Sequence, residues 1–305
     1  MLKESDFYKV YSNSLKEKYG EKVYKLPISL YSDCPNRDGN KGFGGCTFCN
    51  EGGSHERLDF DMPINLQLKK NMEYIGSRYN AKKFIAYFQS FTNTYMSIEQ
   101  FEKNIREAMI ENIVAINIST RPDCITDKHL DVLEKYRKDY DFTIELGLQS
   151  ANNETLRLIN RGHTVEDFID AAKRIKKRNF GLCVHIILNL PNDQMEDIID
   201  AARIISKLNA DEVKIHSLYI LEGTKMGEDY KKGEIEICSK AEYIERVISF
   251  LVNLDPNISV QRLLARAPKA ETLFCNWDCS WWKIRDEILN EMQKRGLKQG
   301  ISKNI

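Results

Sequence analysis

The stretch LPISLYSDCPNRDGNKGFGGCTFCN, residues 26–50, begins as an apolar strand-like run and continues into a loop with three cysteines, Cys34, Cys46 and Cys49. Thiolates at this spacing bind a soft metal ion or an iron-sulfur cluster. Three thiolates leave one iron of a four-iron cluster without a protein ligand, so that iron is open to chemistry. Four glycines between residues 39 and 45 allow positive φ angles and a close approach of the backbone to a compact cofactor.

Beyond this loop, apolar strand-like runs alternate with amphipathic helical patterns. The strand candidates are Leu26–Tyr31, Lys83–Gln89, Val114–Ser119, Phe142–Leu148, Leu182–Leu190 and Val213–Leu218. The helical patterns are Ile64–Arg78, Ile98–Glu111, Asp127–Arg137, Val165–Lys177 and Gln194–Lys207. This alternation predicts an α/β fold with a parallel sheet, a partial (β/α)6 TIM-like barrel. Because a closed barrel has eight strands, either the barrel is open or the tail supplies more strands, for instance Ser259–Leu263.

After Leu218 the alternation stops and the pattern becomes helical, with amphipathic segments at Lys240–Asn253 and Trp282–Lys294. We therefore divide the chain into an N-terminal segment (1–23), a barrel (24–218) that contains the cysteine loop (34–49), and an α-rich C-terminal extension (219–305) that packs on the barrel. The last residues, 298–305, are polar, and we expect them to be frayed.

The composition gives the chain no net charge that would attract a partner of opposite charge, and it favours metal or redox chemistry. Basic and acidic residues balance at 45 each in 305 residues, so net charge does not indicate nucleic acid or membrane as the partner. No apolar stretch reaches about 18 residues, and the charged first 18 residues do not resemble a signal peptide, so we expect a cytoplasmic protein without a membrane partner. Eight cysteines in such a chain argue for metal or redox roles at some of them, because disulfides rarely persist in the cytoplasm.

The position of the cysteine loop favours catalysis over structure. Cys34 directly follows the first strand, and the carboxyl ends of strands are where β/α barrels build their active sites. The alternative is a structural zinc site with His55 as a fourth ligand. Structural zinc modules usually pair two short ligand knuckles, and this region contains only one.

Four motifs resemble a known family. Cys34-Pro-Asn-Arg-Asp-Gly39 with Gly44-Gly-Cys46-Thr-Phe-Cys49-Asn50 is similar to the cluster loop of the YhcC/YtqA group of radical S-adenosylmethionine (SAM) proteins. Three further stretches resemble the radical SAM domain of the elongator catalytic subunit, a relative of that group: Glu145-Leu-Gly-Leu-Gln149-Ser150, Asn160-Arg-Gly-His-Thr164, and Lys214-Ile-His216 followed by Glu222-Gly-Thr224. The resemblance covers residues 24–290 and is most specific in the cluster loop.

The resemblance implies a partial barrel of radical SAM type and two cofactors. Cys34, Cys46 and Cys49 would hold a 4Fe-4S cluster, and the amino and carboxylate groups of SAM would bind the remaining iron. One electron from an external donor such as flavodoxin or ferredoxin would cleave SAM to methionine and a 5'-deoxyadenosyl radical, which abstracts hydrogen from an inert C-H bond. The protein would orient the cofactors and exclude water.

The resemblance also implies which residues bind SAM. Gln89 and Ser90, at the end of strand two, correspond to positions near the methionine amino group, and Ser119 ends strand three. Glu145 and Gln149 match positions that hydrogen-bond the methionine and ribose. Arg161 is the natural counterion for the SAM carboxylate, because a guanidinium forms a bidentate pair with a carboxylate. A helix-cap salt bridge is the alternative for Arg161.

Strands five and six carry further polar residues. His185 lies alone in an apolar run, where a buried histidine with a satisfied hydrogen bond is the more common outcome than a catalytic one. Lys214 and His216 are two apart and share one face of strand six. We expect them to point inward, flank the substrate and act as catalytic residues, because strands of such a sheet are covered on both faces. Arg121 is either a site residue or part of a turn with Asp123.

The substrate is less well defined. The elongator subunit and the YtqA branch are both linked to carbon 5 of the tRNA wobble uridine, so the resemblance favours a tRNA substrate. Basic residues of the extension that would contact phosphates are Lys231, Lys232, Arg262, Arg266 and Lys269. The stretch from Leu264 to Pro268 lacks the acid that the YhcC-like tail carries there, which indicates a distinct subgroup. The alternatives are a small metabolite as substrate, or a zinc-stabilised binding module without activity.

Cys275 and Cys279 form a further pair in the extension. A second metal or redox site is one interpretation of this pair, but a role in the core or in a lid is favoured over it.

Overall fold

A computed structural model describes residues 2–30, 34–49, 61–89, 91–267 and 271–304. Seven parallel strands form one sheet in the order β1-β2-β3-β4-β5-β6-β8. Their bounds are β1 Val23–Ile28, β2 Lys83–Phe88, β3 Ile113–Thr120, β4 Asp141–Gln149, β5 Gly181–Ile187, β6 Glu212–His216 and β8 Ser259–Val260. The sheet is curled into a half-barrel, since Lys25 Nζ on the first strand lies 3.1 Å from Gln261 Oε1 beside the last. The predicted partial barrel is confirmed, and the extension supplies its seventh strand.

Helices pack their apolar faces on this sheet. Their bounds are α1 Tyr11–Tyr19, α2 Ile64–Tyr79, α3 Ile98–Glu107, α4 Asp127–Glu134, α5 Asn153–Leu158, α6 Val165–Lys177, α7 Met195–Lys207, α8 Lys225–Lys231, α9 Lys240–Asn253 and α10 Trp281–Lys294. Helix α6 shows the principle: Phe168, Ala172 and Ile175 recur at helical spacing and are all fully buried. None of the helices in the described ranges has the length and apolarity that a bilayer crossing requires.

Helix α1 closes the amino end of the half-barrel. Leu15 packs inside the sheet against Ile85 and Ala115. On its other side, Ser14 Oγ lies 2.8 Å from Ser259 Oγ on the last strand. The N-terminal segment therefore bridges the two edges of the sheet at this end, which leaves the carboxyl ends of the strands as the accessible side.

The C-terminal extension is built into the barrel. A two-stranded antiparallel ribbon pairs β7 (Tyr219–Leu221) with β9 (Thr272–Cys275) above the sheet. The expectation that residues 298–305 fray is wrong for the part described. Gln299 is buried and donates to the carbonyl of Ile258 at 2.9 Å, and the amide of Gly300 donates to the carbonyl of Leu251 at 3.0 Å. The side-chain amide of Gln299 and the backbone amide of Gly300 thus hold the chain end on α9 and on the segment that follows it, which polar composition alone does not reveal.

Candidate active site

A cavity of about 280 Å³ opens at the carboxyl ends of the strands. The predicted site residues that line it are Cys34, Cys46, Cys49, Gln89, Ser119, Glu145, Gln149, Arg161, Lys214 and His216. Ser90, also predicted to bind SAM, and His55, the alternative zinc ligand, lie outside the described residues. The sequence therefore identified side chains from distant parts of the chain that the fold brings to one cavity.

A larger cleft of about 660 Å³ lies at the opposite, amino end of the strands. Several of its charged groups pair with one another, as in the ion pairs of Lys176 with Asp211 at 2.6 Å and of Lys18 with Asp141 at 3.0 Å. The three loop cysteines do not line it. We therefore place the chemistry at the smaller cavity.

The thiols of the cysteine loop converge on one another. A hydrogen bond from the Cys49 thiol, helped by the nearby Arg161 guanidinium, lowers the pKa of Cys46 to about 5 although burial opposes it. Arg161 Nη1 lies 3.6 Å and Asn36 Nδ2 3.8 Å from Cys46 Sγ. Both groups donate toward the sulfur, which favours the thiolate that an iron-sulfur cluster requires as its ligand.

The Asn160-Arg-Gly-His-Thr164 motif docks the cysteine loop onto the barrel. Asn160 Nδ2 donates to the Gly45 carbonyl at 2.7 Å, and in return Asn36 Nδ2 donates to the Asn160 carbonyl at 2.5 Å. Gly162 has φ +73°, and a Cβ there would lie 2.6 Å from Asn36 Oδ1. Only glycine combines this backbone angle with this close approach. The motif thus sets the position of Cys46 relative to the strands.

Gly147 makes room for two predicted SAM-binding side chains. A Cβ at this position would lie 2.5 Å from Gln149 Nε2 and 2.7 Å from Arg161 Nη2. Gln149 itself has φ +70° at a register irregularity between β4 and β5, which turns the chain at the strand end. The Arg161 Nη2 group donates to the Gly147 carbonyl at 3.3 Å, while its Nε is buried without a hydrogen-bond partner. The predicted helix-cap salt bridge for Arg161 is therefore not what holds this side chain.

Arg121 lines the cavity and also has a structural role there. Its guanidinium is fully buried, forms two 2.9 Å hydrogen bonds to the carboxylate of Asp123, and donates to the carbonyl of Arg161 at 2.8 Å. The turn interpretation is correct as well, because residues 122–124 form a 3₁₀ turn. Arg121 thus fixes the backbone that carries Arg161.

Glu145 lies at the centre of a buried polar network inside the barrel. Its Oε1 accepts from Lys25 Nζ at 2.5 Å and from Asn117 Nδ2 at 2.9 Å, and its Oε2 accepts from His185 Nε2 at 2.7 Å. Lys214 Nζ lies 3.6 Å from Oε2. Burial raises the pKa of Glu145, but the two lysines outweigh burial and hold that pKa well below its usual range. Both oxygens already have protein partners, and the predicted hydrogen bond from Glu145 to SAM stays a prediction.

The predicted inward orientation of Lys214 and His216 is confirmed. Lys214 Nζ donates to the hydroxyl of Tyr87 at 2.8 Å, and Ser119 Oγ donates to the same hydroxyl at 3.1 Å. Burial lowers the pKa of Lys214 to about 8, so this amine loses its proton more readily than an ordinary lysine. Burial and the adjacent Arg262 hold the pKa of His216 well below its usual range, which keeps its imidazole neutral. Lys214 is therefore able to exchange a proton near neutral pH, whereas His216 stays a neutral hydrogen-bonding group there.

Several lining residues were not predicted to belong to the site. Tyr87, on β2, and Tyr219, which begins β7, both line the cavity, whereas Lys25, on β1, does not line it but reaches the same interior through its bond to Glu145. His185 has the satisfied hydrogen bond that sequence favours, and it lines the cavity too. Lys25 could have been found from the two-residue periodicity of a strand. It lies on the same face as Pro27, in a strand that is otherwise apolar.

The residues present fit a three-thiolate cluster and SAM. The sulfurs of Cys34, Cys46 and Cys49 face one cavity, and no fourth cysteine is among the described residues that line it. The Arg161 guanidinium, whose Nε has no hydrogen-bond partner, lies next to the Cys46 thiol, where it would pair with an amino-acid carboxylate. Cys275 and Cys279 lie elsewhere: a kinked turn, with Trp277 at φ +51°, separates them, so they do not share a helix face.

Comparison with known proteins supports this reading of the site. The family models for the radical SAM superfamily and for the radical SAM C-terminal domain match residues 28–205 and 210–294. MJ0486 from Methanocaldococcus jannaschii is 36% identical over 95% of this chain and 90% of its own length. YtqA from Bacillus subtilis is 33% identical over 94% of this chain and 89% of its own.

Two further matches are to proteins of Methanocaldococcus infernus, and the name of one of them mentions a substrate. The tRNA uridine(34) acetyltransferase of Methanocaldococcus infernus is 34% identical over 66% of this chain, but the match spans 37% of that protein. The structure of the M. infernus Elp3 with its N-terminus deleted has a TM-score of 0.69, covers 91% of this chain and 64% of its own, and is 22% identical. At that identity the structure supports the fold.

Proposed function

Because the chain belongs to the radical SAM superfamily, whose enzymes use a 4Fe-4S cluster and SAM, we propose that it cleaves SAM reductively to generate a 5'-deoxyadenosyl radical. The observation that supports this most strongly is the convergence of Cys34, Cys46 and Cys49 on a cavity that also contains Arg161 and Gln149. When bound, the cluster supplies the electron and the open iron, and SAM supplies the radical. The remaining work falls to the side chains of this chain.

The side chains near the thiols have binding roles in this proposal. Cys34, Cys46 and Cys49 ligate the cluster, and Asn36 and Arg161 hold the Cys46 sulfur through N-H donors. Arg161 pairs with the SAM carboxylate, and Gln89, Ser90, Ser119 and Gln149 hydrogen-bond its polar groups. N-H groups that donate to a metal-bound sulfur orient that ligand and adjust the reduction potential of the metal centre.

The side chains on the far strands act on the substrate. Lys214 and His216 lie on β6, which only β5 separates from β4 with its Gln149, and both are largely buried bases with lowered pKa values. We assign to them the movement of a proton at the substrate atom that the radical attacks. Glu145 holds Lys214 and His185 in place through its second oxygen.

We further propose that the substrate is a tRNA wobble uridine or its modified side chain. The support is the 34% identity to a protein named for acetylation of tRNA uridine 34, together with a fold shared with the M. infernus Elp3. Of the basic side chains of the extension, Lys231, Lys232 and Arg266 are exposed and available to contact an RNA that delivers a base to the cavity, whereas Arg262 lies inside the barrel. A cytoplasmic location and an external electron donor of the flavodoxin or ferredoxin class belong to the same proposal.

The test is mass spectrometry of tRNA nucleosides from a strain that lacks this gene and from its complemented parent. The proposal expects one wobble uridine derivative to disappear and its precursor to accumulate in the deletion strain. Complementation with a Cys46→Ala variant should fail to restore the product. An unchanged nucleoside profile contradicts the tRNA proposal and favours a small metabolite as substrate.

A further inference from the structure

Arg262 brings an unusual charge into the active-site cavity. It follows β8, and its carbonyl accepts from the amide of Ile215 on β6 at 3.2 Å, which fixes its backbone beside the sheet. Its Nη2 lies 2.6 Å from His216 Nδ1, while its Nε is buried without a hydrogen-bond partner. In the described ranges of the chain, no carboxylate oxygen lies within 4.0 Å of this guanidinium.

Three other cations of the cavity have partners. Lys214 lies 3.6 Å from Glu145, and Arg121 forms a salt bridge with Asp123 at 2.9 Å. Arg161 contacts the Cys46 sulfur. Glu145 is the sole carboxylate among the described lining residues, and its charge is already shared between two lysines. The positive charge of Arg262 is thus left without compensation.

A second cation lies on the same segment. Arg266 is exposed, lines the same cavity, and stacks over the Trp281 ring with 4.5 Å between its guanidinium carbon and the ring centroid. It too has no carboxylate partner among the residues that the structure describes. The segment from 262 to 266 therefore presents two cations in series, one inside the barrel and one at its mouth.

A guanidinium removed from water is costly unless an anion or several hydrogen bonds compensate it. The neutral imidazole of His216 supplies one acceptor and no negative charge. The planar donor set of an arginine matches a carboxylate or a phosphate, which it binds through two parallel hydrogen bonds. Arg262 therefore has the chemistry of an anion-binding residue whose anion comes from outside the chain.

We propose that Arg262 binds a terminal anionic group of the substrate, a carboxylate or a phosphate monoester, and that Arg266 guides this group through the mouth of the cavity. This inference rests on the proposed function for the identity of the cavity as an active site, and it deepens that proposal by naming a substrate class. A terminal group on a slender substituent reaches a side chain inside the barrel. A phosphodiester does not, because two sugars flank it.

The SAM carboxylate is not the anion that this site requires. Arg161 lies beside the Cys46 sulfur, next to the cluster ligands, and would hold the SAM carboxylate there. Arg262 comes from the last strand of the sheet, whereas Arg161 follows β4 in its middle. The two arginines thus serve two anions, one on the cofactor and one on the substrate.

The test is anion binding observed by NMR on the anaerobically reconstituted protein labelled with [15N]histidine, whose five histidines give a countable set of ring signals. The probes are acetate, inorganic phosphate and dimethyl phosphate. We expect acetate or phosphate to shift the His216 ring signal saturably, at least tenfold more weakly in Arg262→Gln. Arg295→Gln, which removes a surface arginine paired with Glu245, is the matched control and should bind like the wild type.

Each outcome decides the proposal. Acetate alone, or phosphate alone, identifies which terminal anion the site takes. Three outcomes overturn the proposal: preferential binding of dimethyl phosphate, binding by Arg262→Gln that equals the wild type, or no saturable shift with any probe. A circular dichroism spectrum that matches the wild type establishes that Arg262→Gln is folded. If this variant is not folded, Arg262→Lys takes its place: it keeps the positive charge but lacks the planar donor set of the guanidinium, and it should bind with intermediate affinity.

Failure of this inference is separable from failure of the proposed function. Anion binding needs no turnover, whereas SAM cleavage by the wild-type enzyme needs no substrate anion. Wild-type protein that cleaves SAM but binds no probe contradicts the anion site alone. Wild-type protein that binds a probe but never yields 5'-deoxyadenosine contradicts the proposed function and leaves the anion site in place.

Discussion

At the scale of single residues, the interior of this barrel is polar where a packed β/α barrel is normally aliphatic. The side chain of Glu145 has no exposed surface, and it accepts hydrogen bonds from three different strands, through Lys25, Asn117 and His185. Burying such a network costs desolvation free energy. Its hydrogen bonds and ion pairs offset this cost only when every partner is present. The barrel thus uses ion pairs to fix the side chains that line its cavity.

Replacing Glu145 should therefore cost much stability. The substitution Glu145→Gln keeps the size of the side chain but leaves Lys25 and Lys214 as buried cations without a counterion, and removing one partner of a buried pair costs about 3–5 kcal/mol. Urea unfolding followed by circular dichroism measures this loss. Glu111→Gln, at an exposed position, is the control and should change the free energy of unfolding by less than about 0.5 kcal/mol. Equal effects of the two variants would mean that the network is not needed for stability.

Gly147 offers a sharper test of the site itself. In Gly147→Ala the new methyl group meets Gln149 and Arg161, so both side chains must leave their positions above the strand. We expect SAM affinity, measured by equilibrium dialysis, to fall at least tenfold while the iron content stays normal. Gly76→Ala, in the middle of α2, meets nothing closer than 3.4 Å and should bind SAM like the wild type.

Residue-level prediction succeeded where a motif carried the signal and failed where the signal was only periodicity. The three cysteines, Gln149 and Arg161 belong to motifs, and all line the cavity. Lys25 was missed because the first strand was predicted to begin at Leu26, whereas pairing with β2 starts it at Val23. In the sequence, Tyr87 is one more apolar residue of β2. Its role is visible only in the fold, where Ser119 and Lys214 donate hydrogen bonds to its hydroxyl.

At the scale of elements, the cluster loop depends on the segment between β4 and α6. The amide of Thr47 donates to the carbonyl of Ile159 at 3.0 Å, and the amide of Met226, in α8, donates to the carbonyl of Thr47 at 2.8 Å. The loop is therefore held between the barrel and the extension by backbone hydrogen bonds. Elements distant in sequence share the positioning of the thiols.

Gly162 is the point at which this docking can be broken selectively. Gly162→Ala places a methyl group 2.6 Å from Asn36 Oδ1, which pushes the cluster loop away from Arg161. We expect the iron content after anaerobic reconstitution to fall to less than half that of the wild type. Gly233→Ala has nearly the same backbone angle, φ +74°, but no atom within 4 Å of the added carbon, so it tests backbone strain alone. If both variants lose iron equally, the contact with Asn36 is not the cause.

Helices were predicted more accurately than strands, for a physical reason. Helices α6 and α9 match the predicted bounds because the side chains of Thr164 and Ser239 cap their first turns, which is a local signal. Helix α3 was predicted to reach Glu111 but ends at Glu107, with Asn112 at φ +70° preceding β3. Strand ends depend on register with a neighbour, as β1 shows, and a single sequence does not contain that information.

At the scale of the whole molecule, several buried titratable groups link folding to pH. Burial, with a contribution from Lys214, lowers the pKa of His185 to about 4, so the folded state keeps this ring neutral where the unfolded chain takes up a proton near pH 6.5. Its contribution to stability is thus complete above pH 6.5 and declines as the pH falls toward 4. Burial raises the pKa of Asp193 to about 6 and that of Glu212 to about 7, and these acids act in the opposite direction.

The difference between the wild type and His185→Gln isolates the histidine from those acids. Between pH 7 and pH 5, the stability of the wild type relative to this variant should decrease by about 2 kcal/mol, since 1.36 kcal/mol accompanies each unit of differential protonation. Urea unfolding at both pH values measures the two free energies. A difference that does not change with pH would show that His185 takes up its proton equally in both states.

The overall architecture could be inferred from the sequence, but the role of the C-terminal extension in it could not. The β/α alternation predicted an open parallel barrel, and the run at Ser259 was recognised as a possible further strand. Its function as the edge that brings Arg262 to His216 was not foreseeable, because β8 is two residues long and α8 and α9 separate it from β6. The division into barrel and extension stays a prediction, although the sheet itself contains strands from both parts.

The central claim is that the three loop cysteines hold a cluster that cleaves SAM, and one measurement tests it most directly. Anaerobically reconstituted protein should contain about four irons and four sulfides per chain, and should release 5'-deoxyadenosine when reduced with dithionite in the presence of SAM. Cys34→Ala, Cys46→Ala and Cys49→Ala should each lose the cluster and the product, whereas Cys275→Ala, outside the cavity, should retain both. A colourless protein loaded with zinc, or a cluster-replete protein that leaves SAM intact, would contradict the account.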